Sequence, residues 1–464
     1  MFKEPFRAGF GRADITPRVG VPLAGFGPYL NRNSTEVLKP LMARVGAFQS
    51  GEIAALLISL ELCGLTRELE ARIRSVVAEE TGIPEDAIFL GSTHTHSGPQ
   101  TVGHIGWGFT DDLYVETLPH RVAAAARRAV EGREPATLQY AHAPCEGLAI
   151  NRELDAAYER HLPVDTFLDP SWRPAKPELT DTFCDLIVIQ GKAGPIGLLH
   201  HFGCHPVVCC DFNTQIHGDF VGLASHQLEE AHPGVVALFF PGALGDVNPS
   251  ISHRSPEDSL RALEVIARRY AACVEDGLNS AEPLKPELRV KSRWTAFPRV
   301  DWDLATVNEK IRELEERLHQ PGIDDNPLEG GDGNPLERRG MDMVRLMGLR
   351  KLRDRMRFGL DLNPKARLTG IRLGSVQLLG APFEIYQSSK NSIRSAVGGE
   401  RTLVTSLVNG ALGYAPDAES YARNGYSAEF VPLMKGDLPH RCVSGVLEEA
   451  LTGIGHELEG AKRS

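Results

Sequence analysis

The stretch GSTHTHSGPQ at residues 91–100 places the tightest constraint on this chain. It follows the apolar run AIFL at 87–90, which reads as a short buried strand. Gly98 and Pro99 break any continuing ladder, so that strand has to run out into a turn. His94 and His96 are two residues apart, and in extended geometry both rings leave the same face of the chain. Neutral imidazole is a common zinc ligand, and two converging at a strand end are a way to build a metal site. The plainer alternative is a chance pair on a polar loop.

The segments around this stretch predict an α/β fold, a central mixed β-sheet flanked by helices, in one domain over 1–464. Residues 45–48 and 53–60, separated by QSGE, predict a β-hairpin with a buried second strand, and Glu61 at its end is a candidate to face the histidine pair. Asp14 reads as a turn-capping aspartate. Thr66 to Glu80 predicts an amphipathic helix. A second helix is expected from about Leu118 to Val130, with Pro119 in its first turn and an Ala-rich middle suited to close packing. Arg152, in a polar loop, is a candidate for orienting a substrate carbonyl or polar head; the alternative is a solvated arginine.

Further strands end on polar residues. IGLLHHFGCHP at 196–206 runs out at His205, either a satisfied core histidine or a ligand brought to the first pair by convergence of strand ends. Residues 235–240 run into PGALGDVNP at 241–249, a loop suited to presenting backbone amides and Asp246 near a reacting group, or else a plain turn. Ser255 and Pro256 open a helix as cap and first residue. Glu384 stands at the mouth of a late strand. Leu304, Val307, Ile311, Leu314 and Leu318, then Met341, Val344, Leu349, Leu352 and Met356, repeat at helical spacing. They predict an inserted helical hairpin near 303–358, either a cover for a cleft, a contact between subunits in a homo-oligomer, or a surface excursion.

Charge and composition exclude some roles. The net charge of −11 argues against nucleic acid or an anionic membrane as partner, since both call for a basic face. No apolar run is long enough to span a bilayer. The opening MFKEPFR lacks the apolar core of a signal peptide, and the eight cysteines form no paired framework, so reduced thiols and a cytoplasmic location are expected.

Taken in order, GRADITP at 11–17, THTHSGP at 93–99, Asn151-Arg152, His205-Pro206, Gly218-Asp219, GDVNP at 245–249, PFE at 382–384 and Gly413-Tyr414 resemble the catalytic domain of the neutral, non-lysosomal ceramidases. The resemblance implies one zinc ion on His94, His205, Glu384 and Tyr414. It implies His96 beside the metal for proton transfer or oxyanion contact, and Arg152 as a substrate contact. A phenol donating to the oxyanion is the alternative role for Tyr414. The function implied is zinc-dependent hydrolysis of a carbon–nitrogen bond in a small or lipid-like N-acyl compound. Two departures stand out: Asn248 occupies the position of the family's serine, and the immunoglobulin-like domain that follows in the ceramidases is expected to be absent. An amide side chain can donate to an oxyanion but cannot attack. Hydrolysis of a soluble ester or cyclic amide, or a non-catalytic metal protein, are the alternatives. A (β/α)8 amidohydrolase with a binuclear site is a further rival, disfavoured because its His-x-His pair opens the first barrel strand.

Overall fold

The computed structural model describes residues 5–155, 162–319, 335–423 and 426–460, with side chains in the last helix of the hairpin described from residue 339. Two five-stranded mixed sheets make the centre of the molecule. The first takes the strands Ile88–Ser92, Ile53–Leu60, Met42–Ser50, Arg7–Asp14 and Glu134–Pro135 in that order. The second takes Val236–Pro241, Pro195–Phe202, Phe183–Gln190, Thr137–Pro144 and Glu282–Leu284. The hairpin predicted at its start is there, with Met42–Ser50 antiparallel to Ile53–Leu60. Strand pairing is otherwise antiparallel in both sheets, apart from Ile53–Leu60 with Ile88–Ser92, Pro195–Phe202 with Val236–Pro241, which run parallel.

The sheets stack face to face because their inner rows are continuous hydrophobic runs, buried on both sides. Phe89 meets Phe240 edge-on at 5.5 Å, and the Ser59 hydroxyl donates to the Phe239 carbonyl at 2.6 Å. Helices Arg67–Thr81 and Asp112–Glu131 cover the outer face of the first sheet; Asp219–Ala231 and Pro256–Asn279 cover the second. The Ala-rich helix does pack closely. A β-carbon on Gly11 would lie 2.2 Å from the Ala125 carbonyl oxygen, so only glycine lets strand and helix approach this far. That helix starts earlier than expected. Asp111 caps it by accepting from the Tyr114 amide, and Pro119 is buried in the helix interior, not in its first turn. Ser255 caps the helix Pro256–Asn279 as expected.

A third, four-stranded sheet (Leu288–Thr295, Ala366–Leu373, Val376–Gly380, Thr402–Thr405) packs with helices Gln387–Val397 and Ser444–Glu459 around its own apolar cluster. The central mixed β-structure is therefore divided among several sheets, and none of those described is a closed barrel of eight parallel strands. Helices Leu304–Leu318 and Pro335–Arg357 pair through Val307, Ile311, Leu314, Leu349 and Leu352; the Gly- and Asp-rich connection at 320–334 lies outside the described residues. Val344 and Met341 join Tyr386 and Tyr414 in a separate apolar cluster, which brings the second helix over one wall of the site below. Among the described residues no helix is long and apolar enough to cross a membrane. The eight cysteines are all free, six of them buried.

Candidate metal centre

Three chain segments far apart in sequence bring His94, His205 and Glu384 together, with one donor atom from each inside a 4.8 Å cluster. His94 follows the strand Ile88–Ser92. The strand has already ended there: His94 has φ +74°, and its amide donates to the Leu62 carbonyl. The extended geometry expected for the pair is thus replaced by a left-handed turn. The rings still converge, with Nε2 of His96 3.4 Å from Nε2 of His94. His205 follows the strand Pro195–Phe202 and is held by its amide on the Val247 carbonyl. Glu384 lies in a two-residue parallel bridge whose register partner is Tyr414.

The outer nitrogen of each candidate ligand is occupied by backbone. Nδ1 of His94 lies 2.6 Å from the Cys63 carbonyl, and Nδ1 of His205 lies 3.1 Å from the Val247 carbonyl. Donation through Nδ1 leaves Nε2 as the lone-pair nitrogen, the tautomer a metal requires. Both Nε2 atoms face one oxygen of Glu384, at 3.5 Å and 3.0 Å. This donor set, two imidazoles anchored through Nδ1 and a carboxylate, fits zinc.

The electrostatics keep the carboxylate of the cluster ionised, the form in which it can bind a cation. Burial would raise the Glu384 carboxyl, but His94 and His205 outweigh it and hold it well below the usual carboxylate range. Burial opposes charge on His94, and the Cys63 and Glu384 neighbours outweigh it in the upward direction. Burial, with Arg152 next, lowers His205 to about 4. His96 is pushed well below the ordinary histidine range by burial and by its neighbours His94 and His205, so it stays a neutral imidazole.

Arg152 is not a solvated loop arginine. Its guanidinium donates to the Gly245 carbonyl at 2.5 Å and to Asn248 Oδ1 at 3.4 Å, and it lies 5.5 Å from the centre of the Tyr414 ring. Tyr414 stacks on His205 at 6.5 Å. Burial and Glu384 push its phenol well above the usual tyrosine range, which keeps the proton on. Asn248, on the strand Val247–Pro249 opposite Ile150, puts its amide in this same group.

Two candidates go elsewhere. Glu61 does not face the histidines: it accepts from the Met42 amide and pairs with the buried Arg44, which also binds Glu229. Asp246 braces the scaffold, accepting from Asn151 Nδ2 and from the Gln387 amide at 2.8 Å and 3.0 Å. Asp14 accepts from the Thr16 amide, the turn role expected of it.

The sequence reading missed the cradle behind His96. The Phe26 amide donates to its Nδ1 at 3.2 Å, the Phe26 ring meets it edge-on, and buried Arg32 donates to its carbonyl at 2.9 Å. Cys63, whose thiol lies 3.7 Å from His94 Nδ1, was also missed. A second group, Cys209, His217 and Asp219, has its donors close together. Its carboxylate is already taken by the amides of Val208, Cys209 and Phe220, so it reads as structural.

A mixed α/β scaffold thus carries a buried His–His–carboxylate cluster near strand ends, a candidate metal site of the kind hydrolases use. The chain belongs to the neutral/alkaline non-lysosomal ceramidase family, whose N-terminal profile matches residues 6–278. The fold is that of solved ceramidases. A neutral ceramidase from Pseudomonas aeruginosa superposes with TM-score 0.73 at 16% identity, covering 99% of this chain and 75% of that one. A ceramidase complexed with C2 gives 0.73 at 18% identity, covering 99% and 76%.

Proposed function

We propose that the protein is a zinc-dependent hydrolase that cleaves the carbon–nitrogen bond of an N-acyl compound. The observation that carries this reading is the convergence of His94, His205 and Glu384, with the outer nitrogen of each histidine anchored on a backbone carbonyl. A zinc ion held there would polarise an acyl carbonyl and acidify water.

The chain's own residues supply the rest. His96 is neutral and accepts from the Phe26 amide at Nδ1, so its Nε2 carries the proton towards the same point and can donate a hydrogen bond to the acyl oxygen. Arg152 and Asn248 place N–H groups, and Tyr414 an O–H, around the position where the acyl oxygen gains charge. Tyr414 acts here as a protonated phenol beside the metal, with ligation as its alternative. The position of Asn248 beside Arg152 supports a role in holding the acyl oxygen; because an amide cannot attack, water is the nucleophile in this reading. Membership of the neutral/alkaline ceramidase family favours an N-acyl amide; a soluble ester meets the same geometry.

The test is hydrolysis of short- and long-chain N-acyl amides and matched esters by the zinc-loaded protein. Amine release that disappears on chelation and returns with zinc supports the reading. A zinc-replete protein inert on the whole panel overturns it.

A further inference from the structure

His104 is a histidine ring without a polar partner. Nδ1 and Nε2 are both buried from water, and neither makes a hydrogen bond among the described residues. The ring rests on Trp107 at 4.4 Å. Its loop continues directly from the histidine block and is fixed at both ends: Gln100 Nε2 donates to the His104 carbonyl, and the Ile105 amide donates to the Met434 carbonyl at 2.8 Å. Ile105 and Trp107 pack against the apolar cluster that contains Tyr414, Tyr386 and Val344.

Its charged surroundings are those of the metal centre. Glu384, His94, Lys435 and Lys351 are the charged groups that act on the ring. Burial first, then Lys435, holds it well below the ordinary histidine range, so it presents one N–H and one lone pair. The Lys435 ammonium donates to the Ala411 carbonyl and makes no hydrogen bond to either ring nitrogen. Buried polar atoms are nearly always paired, and one left unpaired beside a binding site is a place kept for a ligand atom. A hydroxyl can serve either ring nitrogen in either tautomer. A carboxylate serves only the protonated one, and an alkyl group neither.

We propose that His104 is a specificity residue that hydrogen-bonds a hydroxyl on the polar half of the substrate, beside the metal centre. The ligand is named a substrate on the strength of the hydrolase reading above; the hydrogen bond itself is not tied to turnover.

Hydrolysis-proof ligands separate the two. N-(2-hydroxyethyl)hexanesulfonamide and N-ethylhexanesulfonamide are titrated calorimetrically into the metal-loaded wild type and into His104→Phe, whose folding is checked by thermal midpoint. The wild type is expected to bind the hydroxylated ligand about tenfold more tightly, and the variant to bind both alike. Equal binding by the wild type, a preference kept by the variant, or no binding of either ligand overturns the assignment. A carboxymethyl sulfonamide that binds more tightly than the hydroxyethyl one also overturns it, in favour of an anion site on Lys435. Hydrolysis of the matching acyl amides is scored separately: a hydroxyl preference without turnover supports the role of His104 and sinks only the hydrolase reading.

Discussion

A β-carbon on Gly25 would lie 2.2 Å from Cγ of His96. Gly25 also has φ +91°, a conformation that side chains other than glycine's adopt only under strain. The backbone therefore runs directly under the imidazole, and the next residue, Phe26, supplies the amide that fixes Nδ1. Gly25→Ala is expected to push His96 off its place. Activity should fall by about 100-fold, as for an ångström-scale misplacement of a catalytic group, with zinc content unchanged. Thermal unfolding should show a loss of ~1–3 kcal/mol. Gly445→Ala, where the β-carbon meets open space, is the control that should cost nothing comparable. Full activity in Gly25→Ala would remove His96 from the proposed chemistry.

The three proposed ligands come from three separate segments, so each should be needed for tight metal binding. Purified wild type is expected to hold close to one equivalent of zinc by atomic absorption. His205→Ala and Glu384→Ala should each lower it at least about tenfold, since every ligand lost removes a bond the remaining two cannot replace. Cys209→Ser, in the group that reads as structural, should leave zinc content as it was. Metal retained by both ligand variants would refute the assignment.

The convergence of His94, His205 and Glu384 was legible in the sequence because each comes soon after an apolar run near a strand end; their role as ligands belongs to the proposal. The hairpin at 45–60 and the cap at Ser255 were legible for local reasons, turn composition and capping chemistry. What stayed hidden depends on long-range approach. Nothing in the residues around Gly25 and Arg32 tells that their loop lies against His96, and the apolar cluster joining Met341 to Tyr414 exists only after the hairpin folds back. Pro119 misled the reading because a proline often opens a helix, whereas here the Asp111 cap sets the start and the ring is accommodated further along. Glu61 was drawn to the histidines by its place at a strand end, but the buried Arg44 supplies the stronger partner.

Asp246 gives the fold a pH dependence of its own. Burial raises its carboxyl from 3.8 to about 6, against the lowering effect of its bonds from the Gln387 amide and Asn151. A carboxyl raised in the folded state favours folding at low pH, and that contribution is lost as pH climbs from about 4 to about 6. The full change corresponds to ~3 kcal/mol. Urea unfolding at a series of pH values should therefore show a component of stability that falls over this window in the wild type and is absent in Asp246→Asn. An identical pH profile for the two proteins would place the titration elsewhere.

Asn248 decides what replaces the family serine. If its amide donates to the acyl oxygen, then Asn248→Ala should lower kcat by ~100-fold with little change in KM, the signature of a contact made in the transition state. Its Oδ1 accepts from the Arg152 guanidinium at 3.4 Å. Asn248→Asp separates the two roles, because a carboxylate keeps and strengthens the bond from Arg152 but has no N–H to give. Loss of rate in both variants, with zinc intact, makes Asn248 a direct donor. Activity kept in Asn248→Asp and lost in Asn248→Ala makes it a positioning residue that acts by aiming Arg152, and leaves the oxyanion to Arg152 and Tyr414.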